Sequence, residues 1–416
     1  MFSSKTNRIL ACLLCLLPGL QAPAHAEEVS ERRFTLSGFG TLGAARSSSR
    51  HVDFVRDLSQ PVGIKSGRWS GRIDSMLGVQ ANWQLGADWE VVGQAVSRLH
   101  YDRSHDPEVM WAFAKWEPDP RFNLRFGRIG ADFMMLADSR LVGYSYLPVR
   151  PSADFFGPLF FSHFDGVDGS LTLPLAGGVA RGKLFYGKTQ EKTAGAPGIW
   201  DSSGSPVRGL VLDYQTGPWQ LHVNAAEIRF ASNVGNFGLH DQLRAAGTLL
   251  GSPETLRAAD GIRTKHKTSR FMALGVAYDE GPVQIQAMVN RTRHQTDVFA
   301  DSHAAYVLAA YRLGSVTPYV GVSRWKSKRN ARSAGLPPGP SFAQLEQGYR
   351  QYMMASQVDQ KTYSVGVRWD FYQNLALKAQ WDAVRGEPDS RFAFARSDAG
   401  WNGRTDVLSV TLDFVF

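Results

Sequence analysis

Gly38-x-Gly40-x-x-Gly43 has the spacing of a dinucleotide fingerprint, whose glycines let the backbone approach a pyrophosphate seated at a helix N-terminus. The segment that follows, Ala-Ala-Arg-Ser-Ser-Ser-Arg, has the composition of a loop, so the motif lacks the helix that would complete it. His100, Asp102, His105 and Asp106 are metal-ligand types, but histidines five apart on a loop follow no ligand rule, and a solvated loop is expected. Asp165-Gly-Val-Asp168-Gly resembles a calcium loop too weakly to predict a site. No serine or histidine falls into a readable nucleophile–base pairing. Both cysteines, Cys12 and Cys15, lie in the first 26 residues. A chain processed after that stretch has no disulfide, thiolate metal site or cysteine nucleophile. These residue types predict no enzyme, no cofactor and no metal.

The informative pattern is alternation. In the last nine residues Leu408, Val410, Leu412, Phe414 and Phe416 share one parity, while Ser409, Thr411 and Asp413 take the other. Side chains of a strand alternate between faces, so this segment has one apolar and one wet face and ends while still in that pattern. At the end of a soluble domain it would be a sticky edge. A closed transmembrane barrel can use it as a sealing strand whose apolar face meets lipid.

Sixteen such segments of about ten residues can be marked off between 33 and 416. Ile73, Leu77, Val79, Ala81 and Trp83 oppose Arg72, Asp74, Gln80 and Asn82 on the second. On the fourteenth, Tyr363, Val365, Val367, Trp369 and Phe371 oppose Thr362, Ser364, Arg368 and Asp370. On the fifteenth, Leu375, Leu377, Ala379 and Trp381 oppose Lys378, Gln380 and Asp382. Such charged and amide-bearing inner faces predict a wet lumen. The segments near 108–117 and 318–328 carry Trp and Phe on both parities, so no register is assigned to them. Short Gly, Pro, Asp and Asn turns alternate along the chain with longer connections, the longest near 131–162, 231–267 and 329–359. Helix-like runs, Leu239 to Leu250 and Phe342 to Met354, lie in the last two. An even strand count puts both termini on the short-turn side, expected to be periplasmic.

The N-terminus agrees. Lys5 and Arg8 precede an apolar run from Ile9 to Leu17, Pro18-Gly19 breaks it, and Ala24-His25-Ala26 is a small-x-small cleavage site. Residues 1–26 are therefore expected to be a secretory signal and 27–416 one barrel domain. Lipidation at Cys12 would require cleavage through the apolar core. Without the signal 44 basic side chains face 38 acidic ones, about +6, too mild to predict nucleic-acid binding.

The opening strand Phe34-Thr-Leu-Ser-Gly-Phe-Gly-Thr-Leu-Gly43, the stretch Leu124-Arg-Phe-Gly-Arg-Ile-Gly130 before a long loop, and the terminal Phe416 together resemble the trimeric sixteen-stranded porins of Gram-negative outer membranes. The resemblance implies an all-β, antiparallel transmembrane barrel with long extracellular loops. It implies a third loop, about 131–162, folded inward to narrow the pore, with Asp132, Asp138, Arg140, Arg150 and Asp154 as its charges. A basic wall would face it, for which Arg72, Arg98, Lys115 and Arg125 are the candidates, so that opposed charges set up a transverse field. This loop carries more arginine and aromatic residues than the family pattern. The resemblance also implies a homotrimer, with the small residues Gly38, Gly40, Gly93, Ala95, Ser97, Ala112 and Ala114 as its flat interface. Leu412, Phe414 and Phe416 would be the signal read by the barrel-assembly machinery. Outer-membrane lipid, lipopolysaccharide and small hydrophilic solutes complete the expected partners. The implied function is passive diffusion through a water-filled channel. A substrate-selective porin for sugars or small organic anions is the rival, and an adhesin or barrel enzyme a more distant one.

Overall fold

The computed structural model describes residues 33–416 except 132–133, 136–138, 160, 196–197, 236, 330–332, 392–393 and 399. The signal segment, Asp132 and Asp138 thus lie outside the described residues. Twenty strands follow in order: β1 (Phe34–Ser47), β2 (Val52–Phe54), β3 (Met76–Gln84), β4 (Trp89–Arg98), β5 (Glu108–Asp119), β6 (Phe122–Gly130), β7 (His163–Leu175), β8 (Gly178–Lys188), β9 (Lys192–Gly195) and β10 (Gly198–Asp201). The second half holds β11 (Pro206–Thr216), β12 (Trp219–Arg229), β13 (Thr268–Glu280), β14 (Val283–His294), β15 (Ser302–Tyr311), β16 (Val316–Ser327), β17 (Asp359–Tyr372), β18 (Leu375–Gly386), β19 (Phe394–Ser397) and β20 (Arg404–Val415). Sixteen of them form one closed antiparallel barrel. β9–β10 and β2–β19 are separate two-stranded pairs within the loops.

The barrel closes where the terminal alternation places its seam. Gly40 pairs with Phe414 and Thr41 with Asp413, and Phe416 exchanges both backbone hydrogen bonds with Gly38 at 2.8 and 2.9 Å. A Cβ on Gly38 would stand 2.3 Å from the Phe416 ring, and one on Gly40 2.3 Å from the Phe414 ring. These two glycines are therefore not open parts of a flat interface. They are hollows filled by the chain's own terminal aromatics, which lie over a residue with no side chain of its own. Gly93 is open, with nothing within 4 Å of a Cβ, and it pairs with Ala112, separated by the outward Val91–Ala114 pair from the stacked rings of Trp89 and Trp116.

Tight turns join the strands at one end. Asn374 takes a left-handed φ of 61°, a conformation its short polar side chain tolerates. Two β-bulges, at Gln94/Ala95 and Trp116/Asp119, account for the mixed parity of β5. The first lets Met110 and Trp111 both turn inward between outward Val109 and Ala112. On β16 Tyr319 faces inward and donates to Gln380 Oε1 at 2.8 Å, while Val320 and Val322 are exposed to the outside.

The interior is drier than the alternation predicts. Inward-facing Val92, Phe113, Phe185, Val207, Val211 and Ile228 are buried with Met134, Met135, Phe155, Phe156 and Phe161 of the loop between β6 and β7. A barrel of this width is too wide for wall side chains alone to fill, so an inserted loop is needed to bury them. Three helices in the long loops extend this cluster: α1 (Phe237–Leu250), α2 (Pro253–Gly261) and α3 (Pro340–Met354). Ser252 caps α2 by accepting from Thr255 N. Leu243 of α1 and Met353 of α3 are fully buried.

Candidate functional site

The loop after β6 crosses the lumen and is anchored chiefly on the far wall. Met135 reaches β13, where a Cβ on Gly275 would come within 2.6 Å of its Sδ. The chain then passes Arg56, whose Nη2 donates to Arg140 O at 2.8 Å. At Gly143 it meets the seam, since a Cβ there would touch Thr41 and Asp413.

From that point buried cations of the wall hold its carbonyls. Lys378, fully buried on β18, donates through Nζ to Gly143 O and Tyr146 O at 2.6 Å and to Pro148 O at 3.1 Å. Its charge is balanced by Asp413 at 3.1 Å, which also accepts from Thr41 Oγ1 at 2.5 Å. Arg368 on β17 donates to Tyr144 O at 2.6 Å and Tyr146 O at 3.1 Å and lies over the Tyr144 ring. Two inward cations, Lys378 and Arg368, thus hold one turn of loop backbone, in which Gly143 O also accepts from Tyr146 N at 3.4 Å. Hydrogen bonds to ionised donors in a low-dielectric interior are the strong kind.

Two of the loop's own charges, Arg150 and Asp154, are likewise consumed. Arg150 donates to Asp74 from Nη2 at 2.7 Å, to Asp382 from Nη1 at 3.0 Å and to Ser409 Oγ at 2.6 Å, and only 2% of its side chain is exposed. Asp154, on a single helical turn at Ala153–Phe156, accepts from Ser323 Oγ at 2.7 Å and Gln360 Nε2 at 2.5 Å and is completely buried. Burial pushes its carboxyl above the ordinary value of 3.8, and the two hydrogen bonds offset part of that. Neither residue faces a pore, so the expectation that they oppose a basic wall is corrected: both are buttresses. Inward polar residues of β17, β18 and β20 need partners once covered, and the loop supplies them.

The candidate basic wall does not form one row. Arg72 lies before β3, exposed, in the bend that leads into it, so it is not a strand residue as the parity predicts. Arg98 stands at the loop end of β4, 7% exposed, bonded to Ser59 Oγ at 3.0 Å and 3.7 Å from Glu108. Lys115 and Arg125 are direct cross-strand partners near the turn end. Lys115 pairs with Glu117 at 2.5 Å, and Arg125 grips Asp168 through Nε at 2.8 Å. Eight residues of β4 separate Arg98 from Glu90, the partner of Lys115, about 27 Å along the strand. The structure therefore brings together only Lys115 and Arg125, and both are charge-paired.

Asp165 and Asp168 point to opposite faces, Asp165 to Arg128 at 2.7 Å and Asp168 to Arg125, so they do not share a calcium site. The glycine motif sits in the uninterrupted strand β1. Sequence reasoning marked Lys378, Arg368 and Asp382 as inward charges but not as loop anchors. The signal was their clustering on neighbouring strands opposite the one long inward-directed loop.

Comparison with known proteins bears on this architecture. The family pattern described as "Gram-negative porin" matches residues 184–407, more than half of the chain. The fold is similar to an anion-selective porin from Comamonas acidovorans, at 15% identity and a TM-score of 0.54, covering 92% of this chain and 99% of that one. It is similar to Salmonella typhi OmpF in a complex with daunomycin, at 13% identity and 0.55, covering 92% and 97%. It is also similar to Pseudomonas putida OprB, at 10% and 0.56, covering 93% and 95%. No curated protein sequence matches significantly. The closed sixteen-stranded barrel with a loop anchored across its lumen and the family pattern spanning most of its second half agree, and the chain belongs to the Gram-negative porin family.

Proposed function

We propose that this outer-membrane channel passes small hydrophilic solutes and ions as a homotrimer, with its loop end outside the cell and both termini periplasmic. The observation that carries the reading is the lumen-crossing loop held by Lys378, Arg368 and Arg150: a constriction that does not collapse under solute flow needs backbone fixed by charged partners. Open Gly93 paired with Ala112 supports a trimer contact on β4 and β5. Family membership favours a channel over an enzyme. The signal segment 1–26, the assembly machinery as reader of Leu412, Phe414 and Phe416, and the lipid partners belong to the same proposal.

A second reading has its own observation. Above the loop lies a chamber of about 1230 Å³, lined by Phe155, Phe161, Trp200 and Phe299 with Arg391 and Arg396. Aromatic faces beside guanidinium groups suit sugars or small organic anions. Single-channel recording of the purified protein in a salt gradient tests both. Ohmic steps in threes are expected for general diffusion. Saturable block of the current by one solute class would favour the selective reading, and absence of current from folded protein would end both.

A further inference from the structure

The inner wall is divided by charge. Alternate positions of a strand face inward, and on β13 to β16 that inward set runs from Ser269 to Ala277, Gln284 to Thr292, Ser302 to Ala310 and Thr317 to Ser327. None of these positions is Asp, Glu, Lys, Arg or His. The ions that hold the loop stand on the neighbouring wall, where Arg368, Lys378, Asp382 and Asp413 lie on β17, β18 and β20. On the near wall Lys115 and Arg125 are paired with Glu117 and Asp168. A charge-free sector four strands wide thus runs down most of the barrel.

Three rows of cross-strand partners cross this sector. In the upper row, Ala273, Asn290, Ala304 and Trp325, the last three line the chamber above the loop. The lower row, Ala277, Gln286, Leu308 and Gly321, is partly exposed. Between them lies the row of Gly275, Met288, Tyr306 and Ser323, on which the loop rests. Inward rows follow one another about 7 Å apart along a strand, so one layer of side chains parts the chamber from the lower lumen. Met288 and Tyr306 are only 1% and 7% exposed. Met135 of the loop fills the hollow at Gly275, where a Cβ would also come within 3.0 Å of Met288 Cγ. The rings of Phe155 and Phe156 stand 4.9 and 5.7 Å from that of Tyr306. Asp154 reaches the end of this row, where it is spent on Ser323 and Gln360. The remaining contacts named here are apolar, whereas ionised donors tie the same loop to β17 and β18. The Tyr306 hydroxyl is buried without a hydrogen-bond partner among the described residues, a costly state that a passing acceptor would relieve.

We propose that solutes leave the chamber down this sector through an apolar gate of Met135, Met288, Phe155, Phe156 and Tyr306, closed in this structure, which favours uncharged solutes carrying a flat apolar ring. Water wets an apolar constriction poorly, and an ion meets no wall charge there to offset its lost hydration. Methionine is unbranched and adaptable, so the contact between Met135 and Met288 yields to a rigid ring without breaking an ion pair. The chamber suits the same solute. Trp200 and Phe299 stand 5.3 Å apart as ring surfaces on its wall, and Asn290 and Thr292 add amide and hydroxyl groups above the gate. Gln286 adds an amide below it. Arg391 and Arg396 belong to the loop between β18 and β20 and not to this sector. The inference rests on the channel reading and narrows the solute class of the chamber.

The test is swelling of proteoliposomes that hold the purified, folded protein, with phenyl glucoside and glucose as neutral solutes, alongside single-channel conductance in potassium chloride. A pore that sieves by size admits glucose faster, because phenyl glucoside is the larger solute. The gate should reverse that order by at least about threefold, the effect of one aromatic contact. M135A/M288A should raise the conductance at least about fivefold and restore the order of a sieve, because truncating both thioether chains leaves an open gap. Y306F keeps the rings and should keep the low conductance of wild type. Glucose entering wild type faster than phenyl glucoside would overturn the proposal, and this comparison needs no variant. A folded double variant with wild-type conductance and solute order, or a Y306F conductance as high as that of the double variant, would overturn it too. Ohmic current with glucose the faster solute would leave the channel reading standing and remove only the gate. Neither swelling nor current, from wild type and double variant alike, would sink the channel reading and the gate with it.

Discussion

Lys378 is the residue on which the constriction turns. An ammonium buried among three carbonyls and one carboxylate is stable only while all are present. K378M keeps much of the volume but leaves Asp413 charged and uncompensated, at a cost of about 3–5 kcal/mol. The expected outcome is a folded barrel with a released loop, read as larger, noisier single-channel currents and protease cleavage between 143 and 150. Asp154 offers a pH-dependent counterpart. Its folded pKa is raised by burial, with Asp382 adding repulsion, so its stabilising contribution is complete below about 3.8 and declines as pH climbs towards the raised folded value. D154N removes that titration. The unfolding temperature of wild type should fall from acid toward neutral pH more than that of D154N, and parallel curves would refute the assignment.

At the scale of elements, the seam between β1 and β20 joins two sequence features that were legible separately. The terminal alternation predicts a sealing strand, and the glycines of the first strand predict a flat surface, but only the register puts Phe416 over Gly38 and Phe414 over Gly40. G38A inserts a Cβ where the ring lies, and deletion of Phe416 removes the ring. Both should slow formation of the heat-resistant barrel on gels, and deletion should do so more, because it also loses two backbone hydrogen bonds. The boundaries of the other strands follow from alternation to within a few residues. The approach to β3 is the exception: Ile73, in the turn before the strand, continues the apolar parity, yet it packs with Phe54 and Ile64 beneath the first loop. Parity cannot distinguish a lipid-facing residue from one buried by a loop.

At the scale of the molecule, the outer wall has a sector of small residues on β4 and β5. If Gly93 lies at the contact between protomers, G93W will fold, since its own barrel leaves the position open, and will fail to assemble. Light scattering should then report a monomer, while a trimer of normal stability would move the interface elsewhere.

The closed barrel, its sixteen strands, the alternation of turns and loops and, outside β5, β16 and the approach to β3, the inward set were legible in the chain alone, because each depends on a period-two pattern or on local turn chemistry. The sequence did not determine what the inward residues do. Lys378, Asp382 and Arg368 read as solvated lumen charges until the loop after β6 covers them, and Arg150 and Asp154 read as pore charges until the same loop buries them. Arg98 and Arg125 share a parity but stand at different depths, which depends on the stagger between strands. Contacts between residues more than 200 positions apart are fixed only when the barrel closes, so the tertiary structure decided which charges anchor the loop and which face water or lipid.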